Sequence, residues 1–351
     1  MSEVTKSPEQ WFHQLATHYV EAQALFHLNQ VGVFQLLEAE GPLGVRAIAE
    51  RLGLTVHVLD ALLDYVTNVD TLLIRDRDQR YALGEFGRNV LERFGRREAG
   101  KAIYNFFDVR VGAYGAVWSG LERLLHGGVY GRDVMRAGDV AADAVYKLVD
   151  RIEPALTQIK QAQPTSSIVD LGVSTGLLER LGARDDTLAC YGVDRSAAAL
   201  GKARKRAEAA GVSRVQLLEA DVFSPDAFLD RIDPSRGPGL IFSVHFHEFI
   251  AGPEGRSKLA HTLARIGQHL PGWRVVAFEQ PRLPDTARET LSETLWLYAQ
   301  SNVLIHHLIG NGQILPESDW LGLLREGGCD SVSAFPIGYL GYLAFVGTFA
   351  K

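Results

Sequence analysis

The ten residues from Ser167 to Gly176, Ser-Ile-Val-Asp-Leu-Gly-Val-Ser-Thr-Gly, constrain what this chain can fold into more than any other stretch. Ile168-Val169 suit a buried parallel strand, small residues follow at Gly172, Ser174 and Gly176, and Leu177-Leu178-Glu179-Arg180 suit a helix. Strand, small-residue turn and helix begin a βαβ unit of the nucleotide-binding kind. The missing side chains let a ligand come against the backbone, and the N–H groups that open the helix can donate to it. Such a turn also occurs as a plain strand-to-helix corner, so its meaning depends on the strands after it.

Two further strand ends come next in the chain. Tyr191-Gly-Val-Asp194 reads as a strand closing on an acid about 20 residues after the turn, where a carboxylate can accept from both hydroxyls of a ribose. Leu217 to Phe223 reads as a third strand, with Asp221 suited to an adenine amino group and Phe223 to a stacking face. The order Asp170-x-Gly172, Asp194, Asp221-x-Phe223 resembles the class I S-adenosylmethionine-dependent methyltransferases. Nicotinamide enzymes share such a turn, but the Asp-x-Phe strand end fits the methyltransferases better. The resemblance implies a Rossmann-like α/β domain with Asp170, Gly172, Gly176, Asp194, Asp221 and Phe223 around S-adenosyl-L-methionine. Ser174 stands where that family usually has a middle glycine, so the cofactor's approach is expected to differ slightly.

At 351 residues two domains are expected, and 46% hydrophobic with 22% charged residues suits a soluble globular chain rather than a disordered one. A net charge of -6 argues against a nucleic-acid backbone as partner. Cys190 and Cys329 cannot build a disulfide framework, and the polar N-terminus has no secretory apolar run, which points to a cytoplasmic protein. The most apolar tract, Phe335 to Ala350, is short and interrupted by glycine. It reads as a pair of strands rather than a membrane span.

Before the turn, Pro8 opens a helix with Trp11, Leu15, Tyr19, Ala22 and Phe26 at helical spacing. Helices over Val33 to Glu40, Val45 to Arg51 and Val56 to Asn68 follow, then a hairpin of Leu72 to Ile74 with Tyr81 to Leu83. Three short helices and a hairpin make a winged-helix pattern. The helix in the DNA-reading place carries Asp60 and Asp64 and no Lys or Arg, so it would repel phosphate. The segments Val31 to Leu37, Ile48 to Gly53 and Tyr81 to Gly87 instead resemble the dimerisation domain of plant-type and bacterial small-molecule O-methyltransferases. That resemblance implies a homodimer acting on a small molecule. Residues 1–160 are expected to form the helical dimerisation domain, whose later aromatics roof the substrate pocket or pack the domains, and residues 161–351 the methyltransferase domain. Gln163-Pro164 marks the boundary.

After the third strand come a strand over Leu240 to Val244, the sequence His245-Phe-His247-Glu248-Phe249, and a strand over Trp273 to Glu279. A long helix over Thr286 to Ile309 carries His306-His307 near its end, and the chain closes on strands within Asp330 to Phe349. In the O-methyltransferases the position of His247 carries the base that deprotonates a substrate hydroxyl, and an imidazole titrates in the right range. On extended chain, His245 and His247 would share one side. The surplus of histidines resembles that of the metal-dependent C-methyltransferases of bacterial natural-product pathways, which methylate 2-oxo acids at the β-carbon. That likeness implies a zinc or iron ion held by His247 and by His306 or His307, with His245 as a further donor. Glu248 is then the candidate for moving the β-proton or steering the enol, and Arg110 or Arg132 the candidates for holding the substrate carboxylate, against a plain surface or domain-packing role for each arginine. Three readings stay open: metal-assisted C-methylation, metal-free O-methylation with His247 as base, and a protein that keeps fold and cofactor without methylating.

Overall fold

The computed structural model describes residues 7–69, 71–94, 108–126, 146–173, 176–310, 312–338 and 340–351. The chain divides into two compact units, Met1–Ala116 and Val117–Lys351. The helix Tyr146–Ala162, on the N-terminal side of the boundary expected near 160, groups with the second unit. Its Val149, Ile152, Leu156 and Ile159 pack with Ile168, Leu177 and Leu240 of the larger core.

The first unit follows the sequence pattern closely. It contains α1 (Pro8–Gln30), α2 (Val33–Glu40), β1 (Leu43–Gly44), α3 (Val45–Leu52), α4 (Val56–Val69), β2 (Leu73–Arg75), β3 (Arg80–Leu83) and α5 (Glu85–Phe94). Ser7 and Gln10 form a reciprocal capping box that starts α1, satisfying two N–H groups the helix leaves open. The strands form a sheet in the order β1-β3-β2, and Leu28, Phe34, Ile48, Leu63, Val66 and Tyr81 fill the core. The two acids of α4 turn to the hairpin: Tyr81 donates to Asp60 at 3.1 Å, and Arg75 pairs with Asp64 at 2.8 Å. Only the second half of α1 is buried. Trp11, Phe12, Leu15 and Tyr19 are all at least half exposed on the single chain.

The second unit is built on a seven-stranded sheet in the order β6-β5-β4-β7-β8-β10-β9. Its strands are β4 (Ser167–Leu171), β5 (Ala189–Asp194), β6 (Val215–Glu219), β7 (Leu240–Ser243), β8 (Arg274–Glu279), β9 (Cys329–Pro336) and β10 (Leu343–Phe349). β4 to β8 run parallel, whereas β10 is antiparallel to both β8 and β9. Every residue of β4, β7 and β8 is buried, as helix-covered parallel strands require. The long helix starts later than its spacing predicts, at Glu293. Ser292 takes the N-cap, its hydroxyl accepting from Leu295 N–H, and Asp285–Glu289 forms a separate 3-10 turn. No helix of the described residues is long and apolar enough to cross a membrane.

Candidate active site

In a sheet of this order the chain leaves β4 for β5 and β6 on one side and later returns for β7 and β8 on the other. A crevice therefore opens at the carboxyl ends of β4 and β7, where ligands of open α/β sheets bind. Gly172 lies at its edge with φ +91°, and a Cβ there would come within 3.2 Å of His245 Cδ2. The backbone angle favours glycine, and any Cβ would also have to push the His245 ring aside by a few tenths of an ångström. Gly176, at φ +76°, opens the helix Leu177–Arg184. Ser174, the expected departure, lies outside the described residues.

The carboxylate of Asp194 is fixed across this turn. One oxygen accepts from Val173 N–H at 3.1 Å and the other from Ser196 N–H at 2.7 Å, so each keeps a lone pair for a ligand hydroxyl. Asp221 is exposed and accepts from Phe223 N–H at 2.9 Å, which holds the Phe223 ring partly exposed and edge-on to Phe249. Asp170 is placed differently. It is wholly buried beneath the turn, with no hydrogen bond to its carboxylate among the described residues. Burial first, and then the charges of Glu179 and Asp194, push its carboxyl well above the usual range against the pull of Arg206.

At the end of β7 the Ser243 hydroxyl donates to Leu171 O and accepts from His245 N–H, joining the two lips of the crevice. The chain then makes one helical turn, Phe246–Phe249, so His245 and His247 do not sit on extended chain as the spacing suggests. Their rings are 6.4 Å apart and tilted by 51°. His247 is gripped by Glu279, the last residue of β8. Its Nδ1 lies 2.7 Å from one carboxylate oxygen, and its backbone N–H donates to the other at 3.0 Å. A carboxylate accepts only, so Nδ1 carries the hydrogen, and in the neutral ring Nε2 holds the lone pair. Burial lowers the pKa of His247, but the charge and hydrogen bond of Glu279, with the charge of Glu248, outweigh it and leave the imidazole above its ordinary value.

His306 is buried, and its ring meets that of His247 edge to face at 4.6 Å, whereas His307 is exposed. Helix neighbours diverge by about 100°, so only one of the pair can face the crevice. His245 Nδ1 is 3.6 Å from Glu248 Oε1. Arg110 belongs to the first unit, where its guanidinium lies over the Tyr114 ring at 5.7 Å, and Arg132 lies outside the described residues. Among the described residues, no group of three or more His, Cys, Asp or Glu side chains is arranged to hold an ion. The pair of imidazoles offers two donors. Glu279 is the residue that reading the sequence missed, although an acid closing the apolar run Val275 to Phe278 beside β7 was a visible signal.

Comparison with known proteins agrees with this architecture. Residues 13–93 match the O-methyltransferase dimerisation domain. No curated protein matches the chain by sequence. An O-methyltransferase family protein from Burkholderia thailandensis superposes with a TM-score of 0.72 at 16% identity, covering 99% of each chain. Human N-acetylserotonin methyltransferase, solved in complex with S-adenosylmethionine, superposes with a TM-score of 0.66 at 20% identity, covering 100% of each chain. The mitomycin 7-O-methyltransferase MmcR gives 0.70 at 18% identity over 97% of each chain. Residues 13–93 thus match an O-methyltransferase dimerisation domain, and the seven-stranded sheet of the second unit has the Rossmann-like fold seen in these methyltransferases.

Proposed function

We propose that this protein transfers the methyl group of S-adenosyl-L-methionine to the hydroxyl of a small molecule, with His247 as general base. The observation that carries the reading is the buried Glu279–His247 contact, which leaves Nε2 of the neutral ring as the proton acceptor just beyond the carboxyl end of β7. Nε2 takes the hydroxyl proton, the oxygen forms a bond to the methyl carbon, the carbon–sulfur bond breaks, and S-adenosylhomocysteine leaves. Asp194 receives the ribose hydroxyls, Asp221 and Phe223 the adenine, and Gly172 and Gly176 make room for the rest. Asp170 supports the turn from below rather than touching ligand. The exposed aromatic face of α1 and the matched dimerisation domain support a homodimer.

A second reading has its own observation, the edge-to-face contact of His247 with His306. A ligand histidine commonly gives its other N–H to a carboxylate, as His247 does to Glu279. A zinc or iron ion bound by these two imidazoles would supply Lewis acidity to a chelating 2-oxo acid. Glu248 would then take the β-proton, the enolate carbon would receive the methyl, and His245 would stand by as a further donor. His307, exposed, has no part in it. Transfer of labelled methyl from the cofactor tests the shared reading and separates it from a non-methylating protein. Elemental analysis with chelator-treated activity separates the two chemistries: full activity in metal-free protein ends the second, and abolished activity with intact cofactor binding ends the first.

A further inference from the structure

We infer that Asn302 and Gln280 are positioning residues, a buried amide clamp that holds the His306 ring against His247. The inference rests on the proposed role of that site and adds what sets its geometry. Both side chains are buried, at 7% and 2% exposure, although amide side chains are mostly exposed in folded proteins. Asn302 Nδ2 donates to Gln280 Oε1 at 3.0 Å, and Gln280 Nε2 donates to Leu340 O at 2.8 Å.

The direction of this chain of bonds is forced. The Leu340 carbonyl can only accept, so Gln280 must turn its NH2 to it and its oxygen to Asn302, which must then donate. Three segments meet here: the end of β8, the helix Glu293–Ile309 and the turn between β9 and β10. The turn carries Leu340 at φ +42°, a left-handed conformation unusual for a branched side chain and held at its carbonyl by the clamp.

Two adjacent residues of β8 and its exit thus do complementary work. Glu279 fixes His247, and Gln280 fixes the helix that brings His306 to it. Asn302 and His306 are four residues apart, stacked on one helix face, so holding the first sets the height and rotation of the second. The far end of the same segment is tied to the same target. Gln313 N–H donates to His247 O at 3.0 Å, and Gly312, at φ +89°, lies so close that a Cβ would overlap the His247 carbonyl oxygen. The clamp and this crossing bracket His306 on either side.

The test reads ring geometry directly. In proton–carbon correlation spectra of the full chain, the Hε1 signal of His247, assigned among eleven histidines by its loss in His247→Ala, should shift in His306→Ala through loss of the neighbouring ring's current. Asn302→Leu, with His306 intact, should reproduce at least about half of that shift, and the rate of methyl transfer should fall about 10-fold or more while the KM for cofactor changes by less than about 2-fold. Gln280→Met should do the same, which keeps the test alive if one variant fails to fold. A His247 signal unmoved in a folded Asn302 or Gln280 variant overturns the inference, even if that variant melts at a lower temperature. Full methyl transfer by His247→Ala would instead overturn the proposed role of His247, and the spectra would still decide the clamp.

Discussion

Glu279 holds His247 at two points, the backbone N–H and ring Nδ1, through the two oxygens of one buried carboxylate. A two-point grip fixes ring rotation as well as tautomer, which a single hydrogen bond to a free ring would not. It also places a negative charge beside the imidazole, and that charge decides how the site should respond to pH.

Because the imidazole sits above its ordinary value of 6.5, methyl transfer by a base at Nε2 should rise with pH with a midpoint above that value. The sign for stability is opposite. Stabilisation from the charged pair is present in full below the unfolded value and is lost as pH rises through the raised folded one. Glu279→Gln removes the attraction and should move the rate midpoint down. His247→Ala should lower kcat by about 10²- to 10⁴-fold. A rate profile with its midpoint at or below 6.5 in the parent protein would contradict the pairing.

Cofactor affinity should depend on Asp194 and Gly172. Asp194→Ala removes the proposed acceptor of two ribose hydroxyls and should weaken binding by about 1 to 3 kcal/mol. Gly172→Val places a branched side chain at φ +91° against His245 and should block the turn. Calorimetric titration with S-adenosylhomocysteine checks both, and unchanged affinity in the two variants would remove the cofactor from this crevice.

The face of α1 that carries Trp11, Leu15 and Tyr19 should lie in an interface between two copies of the chain. Replacing all three by Gln should shift the protein from dimer to monomer in sedimentation velocity, with lost or diminished activity. Removing residues 1–30 should give aggregated or monomeric inactive protein. A fully active monomer from either change would refute the assignment.

Arg274, almost wholly buried at the start of β8, donates to Ile159 O and, at 2.6 Å, to Thr165 Oγ1. A cation at the end of the helix Tyr146–Ala162 satisfies carbonyls the helix leaves open and complements its dipole. Burial lowers its pKa, but a guanidinium begins so far above neutral that it stays a cation. Arg274→Met should lower unfolding stability by about 2 to 3 kcal/mol and leave cofactor affinity unchanged. Urea denaturation and calorimetry together read both halves of that expectation.

The local sequence determined the parts of this protein whose physics is local. Helix periodicity and Pro8 at the first helical position gave the start of α1, and the apolar runs Leu72 to Ile74 and Tyr81 to Leu83 gave the hairpin. The glycines after β4 were legible because a positive φ and a close approach tolerate little else. The start of the long helix was not legible: Thr286 and Ser292 are both competent caps, and only the folded context chose Ser292. The His-x-His spacing suggested an extended pair, but the chain makes a helical turn there, and Glu279 accepts the His247 N–H that the turn leaves open. The partners of His247 come from 32 and 59 residues further along, positions 279 and 306. No periodicity relates such residues. Parallel strands are joined through helices, so β7 and β8 become neighbours only when the sheet forms, and the burial that makes Glu279 bind His247 so closely exists only then.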